Sequence, residues 1–251
     1  MTGGRAIELA IARPDLLDDA AFRRLRAGLP RWRRERADRC RRKADRYASV
    51  VAFSLLQYLW RERAGGPLPG VVSGEHGKPR FAGAPGWHFN WSHDASVCVC
   101  ALGPAPLGVD VQPRVRYSEA LFARIAAPGE RHLAGRLRAA DDLSLLWTRK
   151  EAAVKRTGSG LTVPLDQLDT TASGDILTLA IAEPPCHLSV TADGYTEPEL
   201  RTALRTRFLV PAPGAGSWTQ ARPSRAVQDQ ACVVAAETEG QRQRAVQVGR
   251  L

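Results

Sequence analysis

The sequence predicts an α+β protein built from two similar halves, residues 1–105 and 106–251. Two observations favour this fold class. Each half combines a long amphipathic helix with several strand-like segments, in which apolar residues alternate with polar ones or form short runs. The chain of 251 residues is 44% hydrophobic, which is enough to bury one large core or two small ones.

The first half begins with a strand and then becomes helical. Ile7, Leu9 and Ile11 share one face of a strand, and Asp15 can accept the first backbone N–H groups of a short helix. Pro30 then interrupts the chain. A strand is predicted over residues 5–12 and a short helix over residues 15–27. A long helix, first basic and then amphipathic, is predicted over residues 33–63, and a Gly- and Pro-rich loop with one short strand over residues 65–86.

Strands dominate the rest of the chain, around three helical segments. Gly158 follows the third helix at a position where glycine is common. Strands are predicted over residues 87–91, 96–102, 107–111, 176–182, 187–191, 207–210 and 231–235. Helices are predicted over residues 118–126, 129–139 and 141–156, and a surface connection over residues 211–225.

The positive charge is concentrated in one segment. The formal net charge of the chain is +10, and twelve basic residues and three acids between Arg23 and Arg46 give this stretch alone a net charge of +9. Such a patch attracts polyanions, which include nucleic acid, an anionic membrane, a phosphorylated cofactor and an acidic protein. Charge alone does not distinguish these partners, and a solvated arginine-rich helix face is the alternative.

The cysteines and the N-terminus predict a reduced, cytoplasmic protein. The five cysteines are odd in number and lack the spacing of a metal site, and Cys98 and Cys100 are predicted to face one core layer. No segment resembles a signal peptide, and no apolar run approaches the length of a membrane span.

The segment 108–112, Gly-Val-Asp-Val-Gln, places two oxygen ligands on one face of a strand. Strand alternation directs Asp110 and Gln112 to the same side. Mg²⁺ in phosphate chemistry takes one or two carboxylates, and phosphates and waters complete its octahedron. Taken alone, the segment fits better a strand end whose aspartate caps a turn.

The helical segment 147–155 brings an acid and a lysine together. Trp147, Glu151 and Lys155 are four residues apart and share a helix face. A carboxylate one turn before a lysine is ordinarily a surface ion pair worth a few tenths of a kcal/mol. In the functional interpretation, Glu151 joins Asp110 at a metal or accepts a proton, while Lys155 neutralises phosphate charge.

Residues 89–94 contain serine, histidine and aspartate but do not predict a hydrolase. Ser92, His93 and Asp94 are consecutive, and neighbours in a chain rarely converge as nucleophile, base and orienting group. The glycine pattern of a nucleophile elbow is also missing from the sequence. His93 beside Ser92 can instead hydrogen-bond a phosphate. The turn 77–79, Gly-Lys-Pro, carries almost no information alone.

Taken in order, these segments resemble the 4′-phosphopantetheinyl transferase superfamily, in its larger single-chain type that activates polyketide and nonribosomal peptide synthases of secondary metabolism. The resemblance covers about residues 5–236 and is most specific in the combination of Trp-x-x-Lys-Glu-Ala with the upstream Gly-Val-Asp. The matching motifs are Gly77-Lys78-Pro79, Asn90-x-Ser92-His93, Gly108-Val109-Asp110-Val111-Gln112 and Trp147-x-x-Lys150-Glu151-Ala152-x-x-Lys155-x-x-Gly158-x-Gly160-Leu161.

The resemblance implies a fold and an activity. The fold is a monomer of two halves related by a pseudo-twofold axis, with coenzyme A bound in the cleft between them. The activity is that of a holo-[acyl-carrier-protein] synthase, in which Mg²⁺, or alternatively Mn²⁺, assists transfer of 4′-phosphopantetheine to a serine of an apo acyl or peptidyl carrier protein. Neither nucleic acid nor a membrane is an expected partner.

The resemblance also implies roles for individual residues. Arg33 and Arg36 match residues that hold the 3′-phosphate of coenzyme A, Lys78 and Pro79 match the turn near its adenine, and Ser92 and His93 match a pair at its phosphates. The implied metal ligands are Asp110 and Glu151, joined by Gln112 and by Glu130 as a further acid near the metal. The implied catalytic residues are Glu151, Lys155 and His93.

Two departures from the family pattern support a rival hypothesis. The family often has glutamate where this chain has Gln112, and an arginine where it has Ala48, which Arg39 or Arg46 would have to replace. The rival is a degenerate relative that binds coenzyme A or a carrier without transferring. A basic nucleic-acid-binding protein is a second rival, which the 23–46 segment supports, although the sequence has no aromatic platform, zinc pattern or recognition helix.

Overall fold

The computed structural model describes residues 5–221, except for the side chains of Glu75 and Leu161. The predicted strand 231–235 lies outside this range. The described chain is a mixed α+β fold, which confirms the predicted class at that level. None of the helices in residues 5–221 combines the length and apolar character of a segment that crosses a bilayer.

The strands form two main sheets and one hairpin. The first sheet has the order β10-β9-β1-β5-β4, in which only β1 and β9 run parallel. Its strands are β1 (Ile7–Ala12), β4 (His88–His93), β5 (Cys98–Gly103), β9 (Leu204–Pro211) and β10 (Trp218–Gln220). The second sheet is antiparallel with the order β6-β8-β7, formed by β6 (Leu107–Pro113), β7 (Ile176–Ala182) and β8 (Pro185–Ala192). The hairpin pairs β2 (Gly70–Ser73) with β3 (Pro79–Ala82).

Seven α-helices accompany these strands in the described part of the chain. They are α1 (Asp19–Ala27), α2 (Arg31–Asp38), α3 (Lys43–Ala64), α4 (Glu119–Ile125), α5 (Ala134–Ala140), α6 (Ser144–Thr157) and α7 (Glu197–Ala203). The long helix α3 buries its predicted apolar stripe, which includes Val51, Leu55 and Leu59, against the first sheet. Each such side chain contributes about 1.5–3 kcal/mol through burial.

The two sheets pack face to face between the helices α3 and α6. Strand alternation directs Ala10 of β1 toward α3, whereas Leu9 packs against the second sheet together with Val109 of β6. On its other face the second sheet carries α6, which crosses so closely that a Cβ at Gly108 would lie 2.0 Å from the carbonyl oxygen of Ala152. Glycine at position 108 therefore permits the close approach of α6 to β6, the two elements that carry the candidate acids.

Several predicted boundaries were wrong for local reasons. The predicted helix 33–63 is two helices, α2 and α3, because the chain breaks among the closely spaced arginines before Lys43. In this break the Arg46 guanidinium donates to the carbonyl of Cys40 at 3.1 Å. The N-cap of α1 is Asp18, whose carboxylate accepts from Ala21 N at 2.6 Å, and not Asp15, which pairs with Arg13. The loop 65–86 contains two strands, and α7 and β10 lie where none were predicted.

Candidate active site

A cavity of about 710 Å³ opens between α2, the start of α3, the β2–β3 hairpin and the end of β4. Its wall carries three guanidinium groups and several aromatic rings against one carboxylate, Asp45. The cationic and aromatic side chains in this wall are Trp32, Arg33, Arg36, Arg39, Trp91 and His93. Gly77 and Pro79 contribute the hairpin side of the wall. Thus the cavity has the size of a small-molecule site and a positive lining.

Arg33 is a buried cation that has no carboxylate partner among the described residues. Its side chain lies between two aromatic rings, 5.5 Å from the Phe53 centroid and 5.3 Å from the Trp91 centroid. One terminal nitrogen donates to the carbonyl of Ser49 at 3.0 Å, while Nε is buried and has no hydrogen-bond partner. Burial, reinforced by the charge of Arg36, lowers the pKa of the Arg33 guanidinium to about 10. An anion in the cavity would relieve the repulsion between Arg33 and Arg36.

Arg36 and Arg39 extend this positive surface along the same cavity. Within residues 5–221 neither guanidinium forms an ion pair, whereas the neighbouring Arg31 and Arg26 pair with Glu35 and Asp38. Trp32 was not predicted as a wall residue, because the break between α2 and α3 that brings this segment over the cavity was not predicted. Of the two suggested substitutes for an arginine at position 48, Arg39 lines the cavity.

Ser92 and His93 point to opposite faces of β4. His93 lines the large cavity, and burial, together with the charges of Arg33 and Lys155, lowers its pKa. Ser92 points across to the second sheet, where its hydroxyl donates to Asp110 Oδ1 at 2.7 Å. The end of β4 therefore joins the cationic cavity to the carboxylate of β6.

The free energy of unfolding is expected to fall as pH decreases from about 7 to about 5, with His93 as one cause. The pKa of His93 lies below its ordinary 6.5 in the folded protein, so the unfolded chain binds more protons in this range and acid favours unfolding. Urea unfolding at several pH values should show a shallower pH slope for His93→Gln than for the original chain. Parallel slopes would contradict the position of His93 beside the cations Arg33 and Lys155.

Asp110 is the centre of a small polar cluster between β4, β6 and α6. Its Oδ1 receives the Lys155 ammonium at 2.5 Å as well as the Ser92 hydroxyl, and Lys155 Nζ also donates to Ser92 Oγ at 3.0 Å. Its Oδ2 is buried and has no hydrogen-bond partner. A buried carboxylate oxygen without a partner costs free energy, so this atom calls for a cation or donor from outside the protein.

Glu151 faces the same carboxylate from α6. Burial raises the pKa of Glu151, the negative charge of Asp110 raises it further, and Lys155 opposes both effects. Gln112 follows Asp110 on β6 and is half-buried at the end of that strand. Two carboxylates that repel each other, one with an unpartnered oxygen, are the donor set that a hard divalent cation prefers.

The structure does not direct the Lys78 ammonium into the large cavity. Its Nζ donates to the carbonyls of Leu107 at 3.1 Å and Arg156 at 2.6 Å, on the other side of the hairpin. Of the predicted adenine turn, Pro79 lines the cavity and Lys78 does not. Backbone carbonyls thus hold the Lys78 ammonium, and its contact with the cofactor stays a prediction.

The prediction that Glu130 lies near the metal is wrong, because both of its carboxylate oxygens bind groups inside the protein. Oε2 accepts from Ala127 N at 2.8 Å and lies 2.6 Å from Lys150 Nζ, while Oε1 accepts from the backbone N–H and hydroxyl of Thr170. The side chains of Glu130 and Lys150 are both 0% exposed. Among residues 5–221 no three His, Cys, Asp or Glu side chains come together at a cation site, so Glu130 is not a third acid beside Asp110 and Glu151.

The comparisons with known proteins agree with these motifs. The sequence profile of the 4′-phosphopantetheinyl transferase superfamily matches residues 106–199. A 4′-phosphopantetheinyl transferase of Bacillus subtilis is 28% identical over 152 residues, which cover 56% of this chain and 66% of that protein. The 4′-phosphopantetheinyl transferase psf-1 of Bacillus pumilus is 27% identical over 190 residues, which cover 70% of this chain and 77% of that protein.

A further relative is more similar in sequence. The 4′-phosphopantetheinyl transferase AcpT of Salmonella typhimurium is 35% identical over 144 residues, which cover 49% of this chain and 71% of that protein. The profile match begins at the loop before β6 and ends within α7, so it includes Asp110, Glu151 and Lys155. The chain belongs to the 4′-phosphopantetheinyl transferase superfamily.

Proposed function

We propose that this protein transfers the 4′-phosphopantetheine arm of coenzyme A to a serine of an apo acyl or peptidyl carrier protein, with release of adenosine 3′,5′-bisphosphate. The observation that carries the proposal is the cluster of Asp110, Glu151 and Lys155 beside a cation-lined cavity. Coenzyme A matches this layout, since it carries a 3′-phosphate at one end and a pyrophosphate in the middle.

The cavity would bind the nucleotide end of coenzyme A. Its volume of about 710 Å³ suits a nucleotide. The guanidinium groups of Arg33, Arg36 and Arg39, which form no ion pair within residues 5–221, would receive the 3′-phosphate. Pro79 would line the side of the adenine. His93 and Ser92, on the two faces of β4, would hydrogen-bond the phosphates between the cavity and Asp110.

The acid pair would bind Mg²⁺, or Mn²⁺ as the alternative metal. Asp110 would bind the metal through its unpartnered Oδ2. The metal would also stabilise the ionised carboxylate of Glu151, because a nearby cation relieves its repulsion by Asp110. Gln112 would supply an amide oxygen or yield its place to a water. When bound, the metal supplies charge neutralisation across the pyrophosphate.

The residues of this chain would then orient the substrates and move one proton. The carrier serine forms a bond to the β-phosphorus, and the bond from that phosphorus to the bridging oxygen breaks, so adenosine 3′,5′-bisphosphate leaves with the electron pair. Glu151, directly or through a water, would accept the serine proton. Lys155 and His93 would stabilise the charge that develops on the leaving phosphate.

We also propose the finer architecture and setting that the family resemblance implies. The two halves, 1–105 and 106–251, are related by a pseudo-twofold axis with the active site in the cleft, and β9 and β10 return to the first sheet. The protein is of the larger single-chain type and acts as a cytoplasmic monomer on carrier proteins of secondary metabolism. Acidic carriers would be attracted by the 23–46 segment.

Gln112→Glu is expected to retain transfer and to change its metal dependence. A third carboxylate near Asp110 adds negative charge, so the Mg²⁺ concentration for half-maximal rate should fall several-fold, and the ratio of rates with Mg²⁺ and Mn²⁺ should change. The measurement is the initial rate against the concentration of each metal. Superimposable curves for the variant and the original chain would show that position 112 is not at the metal.

Release of adenosine 3′,5′-bisphosphate separates transfer from the two rival functions. We expect release from coenzyme A only when both an apo carrier and a divalent metal are present. Coenzyme A binding without release would indicate the degenerate binder instead. Tight DNA binding that weakens steeply as salt increases, without any release, would favour the nucleic-acid-binding protein.

A further inference from the structure

Lys78 joins the turn of the β2–β3 hairpin to the second half of the chain. Its ammonium donates to the carbonyl of Leu107 at 3.1 Å and to the carbonyl of Arg156 at 2.6 Å. Burial lowers the pKa of Lys78, the charge of Asp193 opposes this shift, and the charge of Arg156 adds a smaller lowering. A desolvated ammonium held by two carbonyls is a fixed structural contact, since moving it would leave the carbonyls unpaired.

The two carbonyls belong to the two elements that carry the acid cluster. Leu107 is the first residue of β6, three residues before Asp110. Arg156 is in the last turn of α6, one residue after Lys155 and five after Glu151. On the hairpin side, Gly77 and Pro79 flank Lys78 and line the large cavity. One side chain thus connects the wall of the cavity with both acid-bearing elements.

The packing around the lysine stem is close enough to make this connection rigid. Gly158 follows α6 with φ of +77°, and a Cβ there would lie 3.0 Å from Lys78 Cδ and 3.3 Å from Lys78 Cβ. An unbranched stem with a single compact charge fits this space. A second contact fixes β6 further along, where Asn90 Oδ1 accepts from Val109 N at 3.0 Å.

We infer that Lys78 is a positioning residue that fixes Asp110 and Glu151 relative to the cavity wall at Gly77 and Pro79. This role rests on the proposed function, in which the cavity binds the nucleotide end of coenzyme A while the acids act at its pyrophosphate. A displaced hairpin would shift the nucleotide end, so the pyrophosphate would no longer lie at the acids. Misplacement of about 1 Å is enough to cost about 10²-fold in rate.

The test compares Lys78→Met with Arg80→Met. Methionine keeps the length of the stem but removes both hydrogen bonds, whereas Arg80 is an exposed residue on the same hairpin. In Lys78→Met we expect hydrogen exchange at residues 70–82 and 107–113 to accelerate about tenfold or more, because two charged hydrogen bonds are lost. We expect kcat to fall about 10–100-fold and the Mg²⁺ requirement to rise, with KM for coenzyme A changed less than about threefold. Arg80→Met should match the original chain in all four quantities.

Lys78→Gln keeps a donor nitrogen but loses the charge, and it should give intermediate exchange and kcat. This variant preserves the test if the methionine variant does not fold. A raised KM for coenzyme A with unchanged kcat and exchange would overturn the inference and make Lys78 a direct ligand. Unchanged kcat and metal requirement in folded variants with faster exchange would reduce Lys78 to a merely stabilising residue. Absence of transfer by the original chain would refute the proposed function, whereas the exchange comparison would still test the contact itself.

Discussion

Asp110→Ala and Glu151→Gln are each expected to lower carrier modification about 10³-fold or more. Each change removes one negative charge from the proposed metal site, and such interactions contribute several kcal/mol to a phosphoryl-type transition state. The measurement is the initial rate of holo-carrier formation at saturating coenzyme A and Mg²⁺. Glu151→Gln should leave the free energy of unfolding unchanged or slightly higher, because it neutralises a carboxylate whose pKa is raised by burial.

Glu119→Gln is the matched control for these variants. Glu119 is exposed and pairs with Arg138 on the surface, so its loss should change neither the rate nor the stability appreciably. Turnover of either Asp110→Ala or Glu151→Gln close to that of Glu119→Gln would rule out the assignment of the metal ligands.

Lys150→Met is expected to lower the free energy of unfolding by about 3–5 kcal/mol, because it leaves a buried carboxylate without its counter-charge. Lys150 Nζ contacts Glu130 Oε2 at 2.6 Å and donates to the carbonyls of Leu165 at 2.8 Å and Leu168 at 2.5 Å. Urea unfolding measures the loss. In the double variant with Glu130→Leu the two losses should not add, with a coupling of about 1–3 kcal/mol.

A further variant, Glu130→Gln, separates a structural role from a metal role for Glu130. Glu130→Gln should destabilise the protein while the folded fraction keeps the original Mg²⁺ requirement, since no oxygen of Glu130 is free. A shifted Mg²⁺ requirement with little loss of stability would instead return Glu130 to the metal site.

Much of the fold could be predicted because the local patterns agree with the final packing. The apolar stripe of α3, the alternation in β1 and β6, and the glycine after α6 all place the correct elements. The break between α2 and α3 was missed because helix periodicity continues through the arginines around Arg41, and only a carbonyl contact from Arg46 reveals the end of α2.

The candidate site was predictable in its residue types but not in its contacts. Asp110 and Glu151 were paired through their motifs, and the structure places them close enough for their charges to interact. Lys78 and Glu130 were assigned by motif position alone, yet the direction of each side chain depends on carbonyls and hydroxyls far away in sequence. Such long-range partners leave no local periodic signal in the sequence.

Transfer is tested most directly by the intact mass of an apo carrier protein after incubation with this protein, coenzyme A and Mg²⁺. We expect a gain of one phosphopantetheine on the carrier, and the loss of that gain when EDTA is added. No gain with several unrelated apo carriers, in the presence of measurable coenzyme A binding, would contradict transfer and favour a degenerate binder.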